Sequence, residues 1–188
     1  DIDETDAIVL TDVDTNDGAI TVDAGGQITA TDVDSSNTNA DANDVNLTTT
    51  AGDISVGAVD AGSAGDATLN AAANITDDGS ALTVLEADVL TANAGGSVTL
   101  DTTVASADVS TSAAGNIDID ETDAIVLTDV DTNDGAITVD AGGQITATDV
   151  DSSNTNADAN DVNLTTTAGD ISVGAVDAGS AGDATLNA

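Results

Sequence analysis

Residues 118–188 repeat residues 1–71 without one substitution. The string DIDETDAIVLTDVDTNDGAITVDAGG opens at Asp1 and again at Asp118, so the chain is built on a 117-residue period. Residues 1–117 are one full copy, and 118–188 are part of a second that stops inside the unit. Tandem copies this close favour an extended object in which each unit contacts its neighbours and the array shares one core. We therefore read 1–188 as one continuous body. No Met opens the chain, and the expectation is a window from a longer protein.

A shorter period lies inside the unit. Five segments begin with related apolar triplets, at Ile20–Val22, Val45–Leu47, Ala67–Leu69, Leu90–Ala92 and Ile117–Ile119. Each is followed by a small polar turn, DAGGQ, TTTAGD, NAAAN, NAGGS or DETDA. A second strand comes next, starting at Ile28, Ile54, Ile75, Val98 and Ile125, and a third apolar element follows at Val33, Val59, Val84, Val104 and Val130. Polar loops such as SSNTNADAND at 35–44 absorb the differences in length.

The apolar spacing within these triplets is two. It puts Ile20 and Val22 on one face and Thr21 on the other, and Thr, Val and Ile favour strands where Gly, Asn and Asp punctuate. Helical heptads and caps are absent. Three short strands in roughly 23 residues make one coil of a parallel β-solenoid, and the chain holds about eight such coils. A β-sandwich would not require the long identity. The reading places Ile20, Val22, Ile28, Val45, Leu47, Ile54, Val56, Leu69, Ile75, Leu90, Val98 and Leu100 inside. An aliphatic interior this narrow has no need of aromatic residues, and the chain contains none.

Composition removes whole classes of function. There are 36 acidic residues and no Lys, Arg or His, a formal charge of −36. Without a cation the chain cannot neutralise phosphates, which excludes nucleic acid, and anionic membranes are unattractive for the same reason. The longest aliphatic run is Ala7-Ile8-Val9-Leu10, far short of a membrane span. Lacking Cys and His, the chain has no zinc site, disulfide or thiol nucleophile. Lysine–asparagine cross-links and trypsin-type cleavage are equally excluded.

The stretches GAITVDAGGQITATDV and GSVTLDTTV resemble the repeats of filamentous-haemagglutinin-like bacterial exoproteins, and the likeness runs through essentially all of the chain. The resemblance implies a right-handed parallel β-helix, secretion to the cell surface, and a role as fibre, matrix or adhesin. Many members of that group carry basic residues, and this chain has none.

The carboxylates are the remaining chemistry. An offset of 20 lays Ile8 over Ile28 and Val13 over Val33, so the motif Thr-Asp-Val-Asp recurs at 11–14 and 31–34. With Val inward, Asp12 is expected to stack on Asp32 and Asp14 on Asp34, while Asp3 stacks on Asp23. An offset of 26 adds Asp60 to the column of Asp14. The second copy repeats the pattern at Asp129, Asp131, Asp149, Asp151 and Asp177. Strands ~4.8 Å apart hold these like charges at short range, so the columns should destabilise the fold unless pKa values rise or cations bind. Some eight coils make a rod ~39 Å long, or about one charge per 1.1 Å, denser than the ~1.7 Å of duplex DNA. Calcium takes several oxygen ligands and is the expected ion. The candidate ligands are Asp12, Asp14, Asn16, Asp17, Asp32 and Asp34, then Asp129, Asp131, Asn133, Asp134, Asp149 and Asp151. Residues 12–18 superficially resemble an EF-hand loop, but Gly18 falls at the seventh position and no Glu stands at the twelfth. Diffuse counterions on a solvated acidic face are the alternative.

Three functions follow in order. The first is a structural extracellular fibre, filament or stalk that associates with other copies and binds divalent cations. The second is an adhesin or ice-binding surface; the outward columns Thr21, Thr68, Thr91 and Thr29, Thr76, Thr99 suggest it, but Asn46, Asp118 and Val126 interrupt them. The third is a polysaccharide-cleaving β-helix enzyme, which would need one shaped pocket where the sequence offers a recurring ladder. No enzymatic activity is expected. Asn46-Leu47-Thr48 and Asn74-Ile75-Thr76 match the N-glycosylation triplet, but both fall within expected strands.

Overall fold

The computed structural model describes residues 1–36, 43–80, 84–153 and 160–188; residues 37–42 of the polar loop lie outside them. Among the described residues there are eighteen strands and no helix, and every strand pairing is parallel. The chain is a β-solenoid of about eight turns, with ~21 residues per turn against the 23 expected. Individual steps range from 17 residues, Leu90 to Ala107, to 26, Ile28 to Ile54.

Period-two alternation builds the interior as expected. All twelve residues assigned to it are buried, and Ile28, Leu47, Ile54, Leu69, Ile75, Leu90 and Leu100 are among the largest fully buried side chains. They stack like on like. One column runs Ile8, Ile28, Ile54, Ile75, Val98, Ile117, Ile137, Val162 and Ala184 without interruption from the first coil to the last. The AGG turns are set by coil-to-coil contact. A Cβ on Gly25 or Gly142 would fall on the carbonyl oxygen of Thr5 or Thr122 in the coil beside it.

The strand order departs from the expected alignment at one place. Ile117 was expected to lie over Leu90 and Ile125 over Val98. Instead Leu90 pairs with Ala107, and Ile117 pairs with Val98. The cause is a 14-residue strand, Val98–Thr111, which rounds a corner at Ala105–Ser106 and completes a coil of only 17 residues. The small side chains there allow the bend without a Gly-rich loop. The third column also differs: Leu85, not Val84, lies opposite Val59, and Thr102 follows it.

Candidate functional site

The acidic columns exist where the strands carry them. Asp3 pairs with Asp23, and Asp14, Asp34 and Asp60 form one ladder that Glu86 extends. In the second copy, Asp131, Asp151 and Asp177 form the corresponding ladder. Asp32 and Asp149 face Ala58 and Ala175 in the following coil, so their own columns end there. Asp129 lies opposite Asp108, which puts an acid against an acid across the junction between copies.

Desolvation first, then the repulsion of neighbouring acids, raises the pKa of Asp14, Glu86, Asp108 and Asp131. Asp14 is exposed, yet its carboxyl is held above the ordinary range by desolvation and by Asp12, Asp34 and Asp32. Asp131 is pushed up to about 6 by desolvation, then by Asp129, with Asp151 and Asp149 adding to it. Asp108 rises through desolvation and Asp129, and Glu86 through desolvation and Asp60.

A second task of these aspartates was not foreseen. Asp34 Oδ1 accepts the Ser36 N–H at 2.7 Å and the Ser36 hydroxyl at 2.9 Å. Asp151 does the same with Ser153. Asp60, Asp77 and Asp177 each accept the N–H of the glycine two residues on, at 2.7, 2.6 and 2.7 Å. These are Asx-turns that take the chain out of the strand. One oxygen each of Asp34, Asp60, Asp151 and Asp177 is thus committed to its own turn.

The loop candidates are engaged as well. Thr15 donates its hydroxyl to the Gly18 carbonyl at 2.6 Å, closing the 15–18 loop, and Gly18 N–H donates to Asn43 Oδ1 at 3.1 Å. In the second copy Asn160 donates to Asp134 at 3.2 Å. Asn16, Asp17 and Asn133 also have interaction partners.

The tightest gathering of acids lies elsewhere. Among the described residues, Asp1, Asp3 and Asp23 form the one group of three whose carboxylate oxygens all lie within 4.8 Å of one another. The 20-residue offset already pairs Asp3 with Asp23, and Asp1 shares their face at a spacing of two. Asp118, Asp120 and Asp140 are the second-copy equivalents, and Asp101 stacks on Asp120 ahead of them. Asp101, Asp120 and Asp140 line an open cleft of about 430 Å³ beside Glu121. Asp101, Asp118 and Asp120 are all raised, by desolvation first and then by neighbouring aspartates.

Glu121 corrects the expected turn at DETDA. The alternation Ile117, Ile119, Glu121 carries its side chain inward, and it is only 4% exposed. Oε2 accepts the Thr102 hydroxyl at 2.9 Å and the Val104 N–H at 3.0 Å, and Oε1 accepts the Asp123 N–H at 2.9 Å. Burial raises its pKa, and these three hydrogen bonds oppose the rise. Glu121→Gln should therefore raise Tm at pH 7 by a few degrees, the yield of roughly 1 kcal/mol in a chain this long. Near pH 4 the two proteins should melt together, because Glu121 is then protonated. A larger loss of stability at pH 7 than near pH 4 would show that the three hydrogen bonds to the carboxylate outweigh the cost of burying its charge.

No family model, curated protein or solved structure matches this chain.

Proposed function

We propose that the chain is a segment of a structural fibre or stalk displayed outside the cell, with divalent cations, calcium first, neutralising its acidic ladders. The observation that carries the reading is the unbroken parallel stacking from Ile8 to Ala184 across both copies. Repeats that share one core in this way transmit load along the axis and extend by adding coils. A β-solenoid repeat is compatible with a structural or adhesin module. The likeness of the AGG repeats to filamentous-haemagglutinin-like exoproteins supports the surface location and rests on those motifs alone. The proposal gives the carboxylates no catalytic step, since they recur along the rod with the repeat.

For the cation, the support is the pairing of Asp14 with Asp34 and Asp60, and of Asp131 with Asp151 and Asp177. Asp12, Asp32, Asp129 and Asp149 flank these ladders. An ion that binds the folded rod but not the unfolded chain stabilises it by about 2.7 kcal/mol per site at a hundred times its Kd. Melting in calcium is therefore expected well above melting in chelator at matched ionic strength. The double variant Asp131→Asn/Asp151→Asn should lose part of that increment. Coincident wild-type curves would remove calcium from the proposal and leave diffuse counterions.

Electron microscopy of the native material decides the wider reading. Rods or filaments whose length grows with copy number are expected. Compact particles would overturn it.

A further inference from the structure

Identical sequences do not occupy identical places on this rod. Ile20 begins a column that continues through Val45, Ala67, Leu90, Ala107 and Leu127, five coil-to-coil steps. The copy of Ile20 is not Leu127. It is Ile137, ten residues further on, and Ile137 stands over Ile117 and Val98 in the next column. The other strands make the reciprocal move. Ile28–Ala30 lies in the column of Ile8 and Ile54, but its copy Ile145–Ala147 lies over Ile125–Leu127, in the column of Ala107 and Leu90. Val33 pairs with Val13 and Val59, whereas its copy Val150 belongs to the column of Val130, Val109, Ala92 and Leu69.

The turns follow the strands. The loop holding Gly18 lies against Asn43. Its copy, holding Gly135, lies against Gly115, which in turn lies against Gly96. The strand types 20–24 and 28–34 have therefore exchanged sides of the rod in the second copy, and a loop has moved with them.

We infer that this repeat is about five and a half coils long, so that each copy is turned by about half a revolution relative to the copy before it. In a chain that carries further copies, every surface feature of the unit alternates between the two sides of the rod and returns to its starting side after two copies. At ~4.8 Å per coil, that return takes roughly 53 Å along the axis. A partner that recognises the surface of one copy meets the same surface on the two sides alternately. Straight stripes of chemistry, including one continuous acidic side, do not form over long distances. The inference concerns the register between copies and holds whether or not the rod is a fibre.

The absence of cysteine makes the register directly measurable. In the turned arrangement Thr99 is opposite Asp118. If the second copy simply continued the columns of the first, Thr99 would lie opposite Val126. All three side chains are exposed. Nitroxide labels on the 188-residue chain carrying Thr99→Cys/Asp118→Cys should show strong dipolar broadening, and labels on Thr99→Cys/Val126→Cys should lose it. Thr29→Cys/Ser55→Cys, opposite one another within the first copy, supplies the reference broadening. Broadening in the Thr99/Val126 pair, or none in the Thr99/Asp118 pair, overturns the turn between copies. A second pair guards against local disruption at Asp118. Thr91→Cys/Asp108→Cys should be broadened, because these residues are opposite one another only when the short coil is present, and a sharp spectrum from this pair likewise overturns the turn.

Discussion

Ile54→Asp is expected to cost several kcal/mol and to abolish a cooperative melt at ambient temperature. Ile54 is fully buried, between Ile28 in the preceding coil and Ile75 in the next. An aspartate there removes a large aliphatic group from a stack and introduces a charge with no cation in the chain to pair with it. Repacking offers little relief, since the slot is bounded by strands above and below. Ser55→Asp, one residue along the same strand and directed outward, should be mild by comparison. Thermal unfolding followed by circular dichroism separates the two. Equal effects at 54 and 55 would mean that the strand phase is wrong.

That contrast marks what the residues disclose unaided. Alternation of Ile, Val and Leu with Thr, Ser and Asp fixes which side of each strand is buried, and the interior assigned from it is correct throughout. Two kinds of information were less accessible. The first is the short coil. The stretch VTLDTTVASADVST has no turn residue strong enough to announce its corner, which is made by Ala105 and Ser106. The alignment therefore passed over Ala107 as a rung and moved every later column by one face. The second is the division of labour among aspartates. An Asp that follows an inward Val reads as an outward charge. The turn N–H that it accepts depends on how the chain leaves the strand, a three-dimensional property. Glu121 was legible in principle, since two isoleucines at a spacing of two point to it, but its charge suggested a loop. The Asp1, Asp3 and Asp23 group was half legible: the offset found one pair, and only the fold shows that the third carboxylate closes on it.

Acidification from pH 7.5 toward pH 4.5 is expected to stabilise the rod, the reverse of ordinary acid unfolding. Asp14, Glu86, Asp101, Asp108, Asp118, Asp120, Glu121 and Asp131 all sit above their usual pKa in the folded chain. In each case desolvation leads, and for all but Glu121 the repulsion of neighbouring carboxylates follows. A group whose pKa is higher in the folded state binds its proton more tightly there. As the pH falls, the folded rod takes up protons before the unfolded chain does, so stability rises through that interval and is complete below the unfolded pKa near 4. Asp131, at about 6, opens the interval from above. No Lys, Arg or His competes by losing an ion pair with these acids as they protonate. Each kcal/mol gained moves the Tm of a chain this size by about 2–4 °C, and Tm is expected to rise between pH 7.5 and pH 5. The measurement is Tm against pH at constant ionic strength with chelator present. Concentrated monovalent salt should flatten the dependence by screening the same repulsion, and Asp131→Asn should blunt its upper end. A Tm that falls steadily between pH 7 and pH 5 would mean that hydrogen bonds accepted by ionised carboxylates, the Asx-turns of Asp34, Asp60, Asp151 and Asp177 among them, stabilise the fold by more than the repulsion among its acids costs.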